Sequence, residues 1–223
     1  MVDESQINVI SKIDAISILN NKIGIGDITE MNVVENAIRL ARTKMVGDRM
    51  VEFSGITRNK EFLIKAVAEF KKNVASNRPI SLASKTSVNS IGIEPLDRPQ
   101  NFGLTTFRQT GLAAGVINVI PTGAGDFSLT ADEERMIITD LVEIDPAAGV
   151  EAITLIDDGD SNRQPESTGL DFRMDGAIRI KELDQPRIID RTLNLDARLV
   201  LGTTLEIIPV GIHIFIGTAQ DDL

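Results

Sequence analysis

The chain has 223 residues, 42% of them hydrophobic, and a formal net charge of −10, so it has material for a real core and wholesale disorder is excluded. Aromatic residues make up 4%, with eight Phe, no Tyr and no Trp, which removes most platforms for stacking sugars or bases. The acidic balance, with Lys and Arg dispersed, argues against nucleic-acid binding, and the lack of cysteine removes disulfides, thiol catalysis and thiolate metal sites together.

The opening MVDESQINVISK lacks the basic and apolar regions of a signal peptide. No run reaches the ~18 apolar residues of a membrane span, and the longest, near Ile207–Ile216, is broken by Pro209, Gly211 and His213. Up to about residue 78 the apolar spacing is helical. Ile7, Ile10 and Ile13, extended by Ile16 and Leu19, predict a first helix, and Gly24-Ile25-Gly26-Asp27 a turn. Met31, Val34, Ile38, Ala41 and Met45 mark one face of a second helix that starts near Thr29 and ends at Gly47-Asp48. A third runs over Thr57–Asn77, with Phe62, Ile64, Ala66, Val67, Phe70 and Val74 inward. Residues 79–110 are rich in Ser, Asn, Thr, Pro and Gly and lack sustained periodicity. They read as a connector or extended arm, which at this length implies a use such as packing on a neighbouring subunit.

From Gly111 the period becomes two. In RMIITDLVEI, Met136, Ile138, Val142 and Ile144 fall on one face, with Ile137, Thr139, Leu141 and Glu143 on the other. In TLNLDARLVL, Leu193, Leu195, Ala197, Leu199 and Leu201 point inward while Asn194, Asp196 and Arg198 point out. Ile212, Ile214 and Ile216 alternate with His213 and Phe215. Further strands are expected at Gly115–Ile120, Phe127–Leu129, Val150–Ile156, Ala177–Glu182, Arg187–Asp190 and Leu205–Val210. Short strands at even spacing, with no helix between them, predict an antiparallel sandwich and not a parallel sheet. The fold class read from the sequence is α+β: a helical region over 1–78, the arm over 79–110, and a jelly-roll-like β-sandwich over 111–223.

Four groups of residues are candidate sites. The run LIDDGDSN suggests a calcium loop, and counted from Asp158 the ligand positions Asp158, Asp160 and Asn162 fit. The sixth position is Arg163 where Gly is needed and the twelfth is Gly169 where Glu is needed. A looser cation site would use Asp157, Asp158, Asp160 and Glu166, but Asp-Gly is a preferred turn pair and a solvated turn explains the run more simply. Gly24-x-Gly26 before a helix lacks the third glycine of a dinucleotide fingerprint, and Asp27 or Thr29 as a helix cap accounts for it. His213 is the only histidine, so a multi-histidine zinc site is excluded. It sits mid-strand with no nucleophile elbow in the chain, which points to a structural or interface role. Asp132, Glu133 and Glu134, or Asp140 with Glu143, are carboxylate pairs that a glycosidase would need, in a chain without aromatic platforms. The sequence therefore names no catalytic residue, cofactor or metal.

FSLTADEERMIITDLVEID, GVEAITLIDDGD, IRIKELDQPRIIDRTLNLDARLVL and LEIIPVGIHIFIG, taken together, resemble the β-sandwich of capsid-associated jelly-roll proteins of tailed bacteriophages and archaeal viruses, the decoration, turret or fibre-base proteins. The resemblance covers roughly residues 111–220 and is one of pattern, with no shared diagnostic motif. It implies a non-enzymatic virion structural protein, made in the host cytoplasm and located in the virion. Its partners would be copies of itself, as a trimer, and other virion proteins, with no nucleic acid and no membrane. Outward apolar residues such as Val200 and Phe215 suit such subunit contacts. The alternative is a ligand- or carbohydrate-binding sandwich of adhesin type, assisted by calcium at 157–166. A hydrolase is left only carboxylate or Ser/Lys chemistry.

Overall fold

The computed structural model describes residues 28–46, 49–77, 91–96, 98–120, 127–129, 133–144, 150–157, 166–168, 173–175, 178–200 and 204–216. The first expected helix and the Gly24–Asp27 turn lie outside them. Helix α1 (Ile28–Arg42) buries Val34, Ala37, Ile38 and Ala41 along one face. It stops at Arg42, short of the expected end, because β1 (Thr43–Val46) turns back on β2 (Arg49–Glu52). Val46 pairs with Arg49, so Gly47-Asp48 joins a hairpin and does not close a helix. The segment expected as a third helix is two. α2 (Ser54–Arg58) and α3 (Lys60–Asn77) meet at Asn59, whose side-chain amide donates to the Gly55 carbonyl at 2.9 Å. α3 buries Leu63, Ile64, Ala66, Val67, Phe70 and Val74. Phe62, expected on that face, is 36% exposed.

Every pairing among the described strands is antiparallel. One sheet has the order β10 (Arg173–Asp175), β11 (Ile178–Ile189), β7 (Glu134–Ile144), β13 (Leu205–Ile216), β3 (Ile91–Pro95), with β4 (Arg108–Gln109) also on β13. The other has the order β5 (Gly115–Ile120), β12 (Thr192–Leu199), β8 (Val150–Asp157), β9 (Glu166–Thr168), with β6 (Phe127–Ser128) also on β12. With the small β1–β2 hairpin, these strands make a mainly antiparallel, two-sheet β-sandwich. Residues of α1–α3 and of both sheets belong to one continuous apolar cluster, so the helices are a layer of the same fold. β12 follows the expected alternation: Leu193, Leu195, Ala197 and Leu199 are buried and Arg198 is exposed. Leu201 lies outside the described residues.

The arm expected over 79–110 is built into the sandwich from Ile91 onward. β3 pairs with β13 in the register Ile91↔Ile216 to Pro95↔Ile212. Beyond it a 3₁₀ turn at Pro99–Phe102 buries Phe102. The Phe102 ring lies 5.7 Å from Phe107 and 5.5 Å from Phe127 of the second sheet. The sequence hides this because the pairing is long-range and the strand is short and contains Gly92 and Pro95.

Two pairs of expected strands are single strands. Ala177–Glu182 and Arg187–Asp190 join as β11, whose register on β7 shifts between Glu182 and Arg187. Leu205–Val210 and the following apolar run join as β13, and Pro209 does not interrupt it. Residues two apart direct their amides to the same side of a strand, and the Gly211 carbonyl accepts from Leu96 N–H on the β3 side. Pro209 therefore turns its missing donor away from β7. It faces a gap, among the described residues, between β4, which pairs with Leu205 and Glu206, and β3, which ends opposite Ile212.

Thr139 breaks the alternation of β7. Asp140 pairs with Val210 while Ile138 pairs with Gly211, leaving Thr139 as the extra residue of a bulge. The strand's faces therefore change over at that point. Arg135 stacks over Phe70 of α3 and Asp140 meets α2, so Arg135, Ile137, Asp140, Val142 and Ile144 face the helices. Met136, Ile138, Leu141 and Glu143 face the second sheet. The expected grouping of Met136 and Ile138 with Val142 and Ile144 is overturned by this one inserted residue.

Candidate functional site

The bulge concentrates the buried polar chemistry of the described residues. Thr139, Asp140 and Glu143 have no solvent exposure. Asp140 Oδ1 accepts from the backbone N–H of Gly55 at 3.2 Å, and Oδ2 accepts from the Thr139 hydroxyl at 2.7 Å. The same hydroxyl lies 3.3 Å from the Val210 carbonyl. A Cβ on residue 55 would stand 2.5 Å from the Asp140 carboxylate, so only glycine lets α2 rest flush on it. Glu182 is the cross-strand partner of Asp140. It pairs with Arg58 at 3.0 Å and accepts from the Ser54 hydroxyl at 3.0 Å, while Arg58 also donates to the Leu183 carbonyl at 2.7 Å. Burial pushes the Asp140 carboxyl up to about 6, and the nearby Glu182 charge adds to this. The Thr139 and Gly55 hydrogen bonds and the Arg58 charge oppose it.

On the other face, Glu143 meets Arg179 of β11, and the Arg179 guanidinium also donates to the Val150 carbonyl of the second sheet at 3.3 Å. Burial raises the Glu143 carboxyl above its ordinary value, with Arg179 pulling the other way. Glu143 Oε1 has no hydrogen-bond partner among the described residues. Asp140 and Glu143, paired in the sequence reading, thus lie on opposite faces of their sheet and form no acid–base pair. The carboxylate beside Asp140 is Glu182, which sequence reasoning missed. Only the cross-strand register connects the two.

His213 is buried on β13. Its Nδ1 lies 3.4 Å from Glu94 Oε1, its ring 5.1 Å from that of Phe215, and Glu94 is also tied to Arg98 at 3.2 Å. Its Nε2 has no hydrogen-bond partner among the described residues, so no nucleophile stands where a triad would place one. Phe215 is expected as an outward contact residue, but its ring occupies the space a side chain on its partner Gly92 would fill. Val200 is exposed, at 58%.

Asp157 ends β8 and Glu166 begins β9, which pairs with β8 at Leu155↔Glu166. The eight residues between them, with Asp158 and Asp160, join these adjacent antiparallel strands and lie outside the described residues, as does Asp132. Among the described residues no three His, Cys, Asp or Glu side chains converge to hold a metal. Glu133 precedes β7 and Glu134 opens it, at the end away from the bulge. A groove of about 390 Å³ lies between α1 and the start of α3, lined in part by Glu35, Asn36, Arg39, Arg42 and Lys60. Its cations are engaged already: Lys60 with Glu35, Arg42 with Glu52 and Arg39 with Asn36. No described helix is long and apolar enough to cross a membrane.

No family model, no curated protein and no solved structure matches this chain.

Proposed function

We propose that this chain is a non-enzymatic virion structural protein, a capsid or capsid-associated subunit built on a jelly roll. The observation that carries this reading is the strand pairing. Number β3, β5, β7, β8, β9, β11, β12 and β13 as first to eighth. The pairs are then first with eighth, second with seventh, third with sixth and fourth with fifth. That is the pairing of one long antiparallel ribbon rolled so that its halves form two facing sheets. Such double-sheet rolls serve as capsid, lectin and cupin domains. A cupin-type metal centre draws on several histidines and this chain has one; a lectin draws on aromatic platforms and this chain has neither Tyr nor Trp. The buried charges support a building block: Asp140 ties the helical layer to one sheet, and Glu143 with Arg179 ties that sheet to the other.

The subunit associates with copies of itself, as a trimer, and with other virion proteins. The test is the mass of the purified full chain in solution by light scattering across micromolar concentrations. A closed oligomer is the expected result. A monomer at every concentration, with a saccharide or calcium raising its melting temperature, would replace this reading with that of a ligand-binding sandwich.

A further inference from the structure

We propose that Asp140 and Thr139 form a proton-operated latch, which holds α2, and with it the helical layer, more tightly on the sheet when the Asp140 carboxyl carries a proton. The Thr139 hydroxyl has one hydrogen and two acceptors within reach, Asp140 Oδ2 at 2.7 Å and the Val210 carbonyl at 3.3 Å. When Asp140 is ionised the hydroxyl is drawn to the carboxylate and Val210 loses that donor. When Asp140 is neutral, its own Oδ2–H donates to Thr139, the Thr139 hydroxyl turns to Val210, and Oδ1 still accepts from Gly55 N–H. Every group is then satisfied without a buried charge.

Water reaches the carboxyl only by displacing its cover. Asp140 has no exposure, and α2 lies directly on it at Gly55, where even a methyl group would collide. Ionisation therefore favours lifting α2. The charged groups around the carboxyl are few. From β11 comes Glu182, whose negative charge disfavours ionisation; from α2 comes Arg58, which is held by Glu182 and the Leu183 carbonyl. The neighbouring positions of β13, Pro209, Val210 and Gly211, bear no titratable side chain. Glu143 of β7 faces the other sheet.

The test is hydrogen exchange of the amides in 54–77 of the full chain over a pH series from 5 to 8, corrected for intrinsic rates. A carboxyl that titrates near 6 when covered and near 3.8 when exposed makes opening about tenfold less favourable at pH 5 than at pH 8. In Asp140→Asn the amide donates to Thr139 as the neutral acid does, so protection should be high and equal at both pH values. Glu182→Gln, at a side chain 30% exposed, should keep the pH dependence but move its midpoint to lower pH. Equal protection of the wild type at both pH values would overturn the latch. So would a tenfold ratio surviving in Asp140→Asn, or a midpoint unmoved in Glu182→Gln.

Discussion

Replacing Arg179 with Met removes the one charge among the described residues that compensates Glu143 while keeping most of the packing of its stem. The Glu143 carboxylate is fully covered and one of its oxygens has no hydrogen-bond partner among the described residues, so after the change neither oxygen would have one among them. The carboxyl avoids that state by taking up a proton. From an ordinary value of 4.5, binding a proton at pH 7 costs about 3.4 kcal/mol, at about 1.4 kcal/mol per pH unit. The Val150 carbonyl also loses a charged donor, about another 1 kcal/mol. Together these give at most about 4 kcal/mol, since the wild-type carboxyl is already raised, against a range of about 3–5 kcal/mol typical of breaking a buried pair by removing one partner.

The sign of the pH dependence follows from the direction of the shift. A carboxyl raised in the folded state contributes stability that is complete below its unfolded value and lost as pH rises through its folded value. In Arg179→Met that folded value moves higher still, because the influence that lowered it is gone. The deficit of the variant relative to the wild type should therefore shrink between pH 7 and pH 5, by at most about 2.7 kcal/mol, because the wild-type carboxyl is itself raised and loses part of the same stability. Urea denaturation of both proteins at the two pH values measures it, and the response of Asp140, present in both, cancels in the difference. Glu143→Leu combined with Arg179→Met should recover most of the loss at pH 7, since an apolar pair leaves no buried charge. A deficit below about 1 kcal/mol at pH 7, or one equal at both pH values, would refute the buried pair.

Gly211→Ala should cost more than about 3 kcal/mol or abolish soluble expression, because its Cβ would lie 1.8 Å from the backbone oxygen of Ile137 in the adjacent strand; a melting temperature within a few degrees of wild type would show the register at the bulge to be wrong. Gly55→Ala should cost about 2–3 kcal/mol, since the carboxylate of Asp140 must swing away and surrender the Gly55 bond. Adding Asp140→Ala should cost less than the two changes summed, a coupling that a thermodynamic cycle reads directly. Asp158→Ala with Asp160→Ala should leave both the melting temperature and its response to millimolar calcium unchanged; loss of a calcium-induced rise would restore the cation site at that turn.

What could be read from the chain depended on whether a signal was local. The alternation of Leu193 to Leu199 lies in one uninterrupted strand, and burial follows it residue by residue. β7 carries the same signal, but Thr139 inserts one residue and reverses everything beyond it, and nothing local marks that insertion. Its position is set by the neighbours on both sides, which shift register there together. Pro209 and Gly211 read as interruptions because their tolerance depends on a gap beside β13 and on the close approach of Ile137. The site suffered most from this. Asp140 is visible in the sequence as a carboxylate with Glu143 three positions along the chain, whereas Glu182 and Gly55 reach it across the register and from the helical layer.

The placement of the buried charges bears on how a core made almost entirely of Ile, Leu and Val settles on one alignment. Apolar side chains of similar volume exchange places at small cost, and a slip of two residues between strands keeps every inward residue facing inward. Packing therefore penalises such a slip only weakly. Charge penalises it more: moving β11 two residues along β7 would take Arg179 from its place opposite Glu143. A buried carboxylate that loses its guanidinium costs several kcal/mol. Asp140 adds a second constraint normal to the sheet, because Gly55 is the one position where α2 can meet it without collision. Few polar residues are buried, but those at the bulge lie where helical layer, first sheet and second sheet must be brought into a single register.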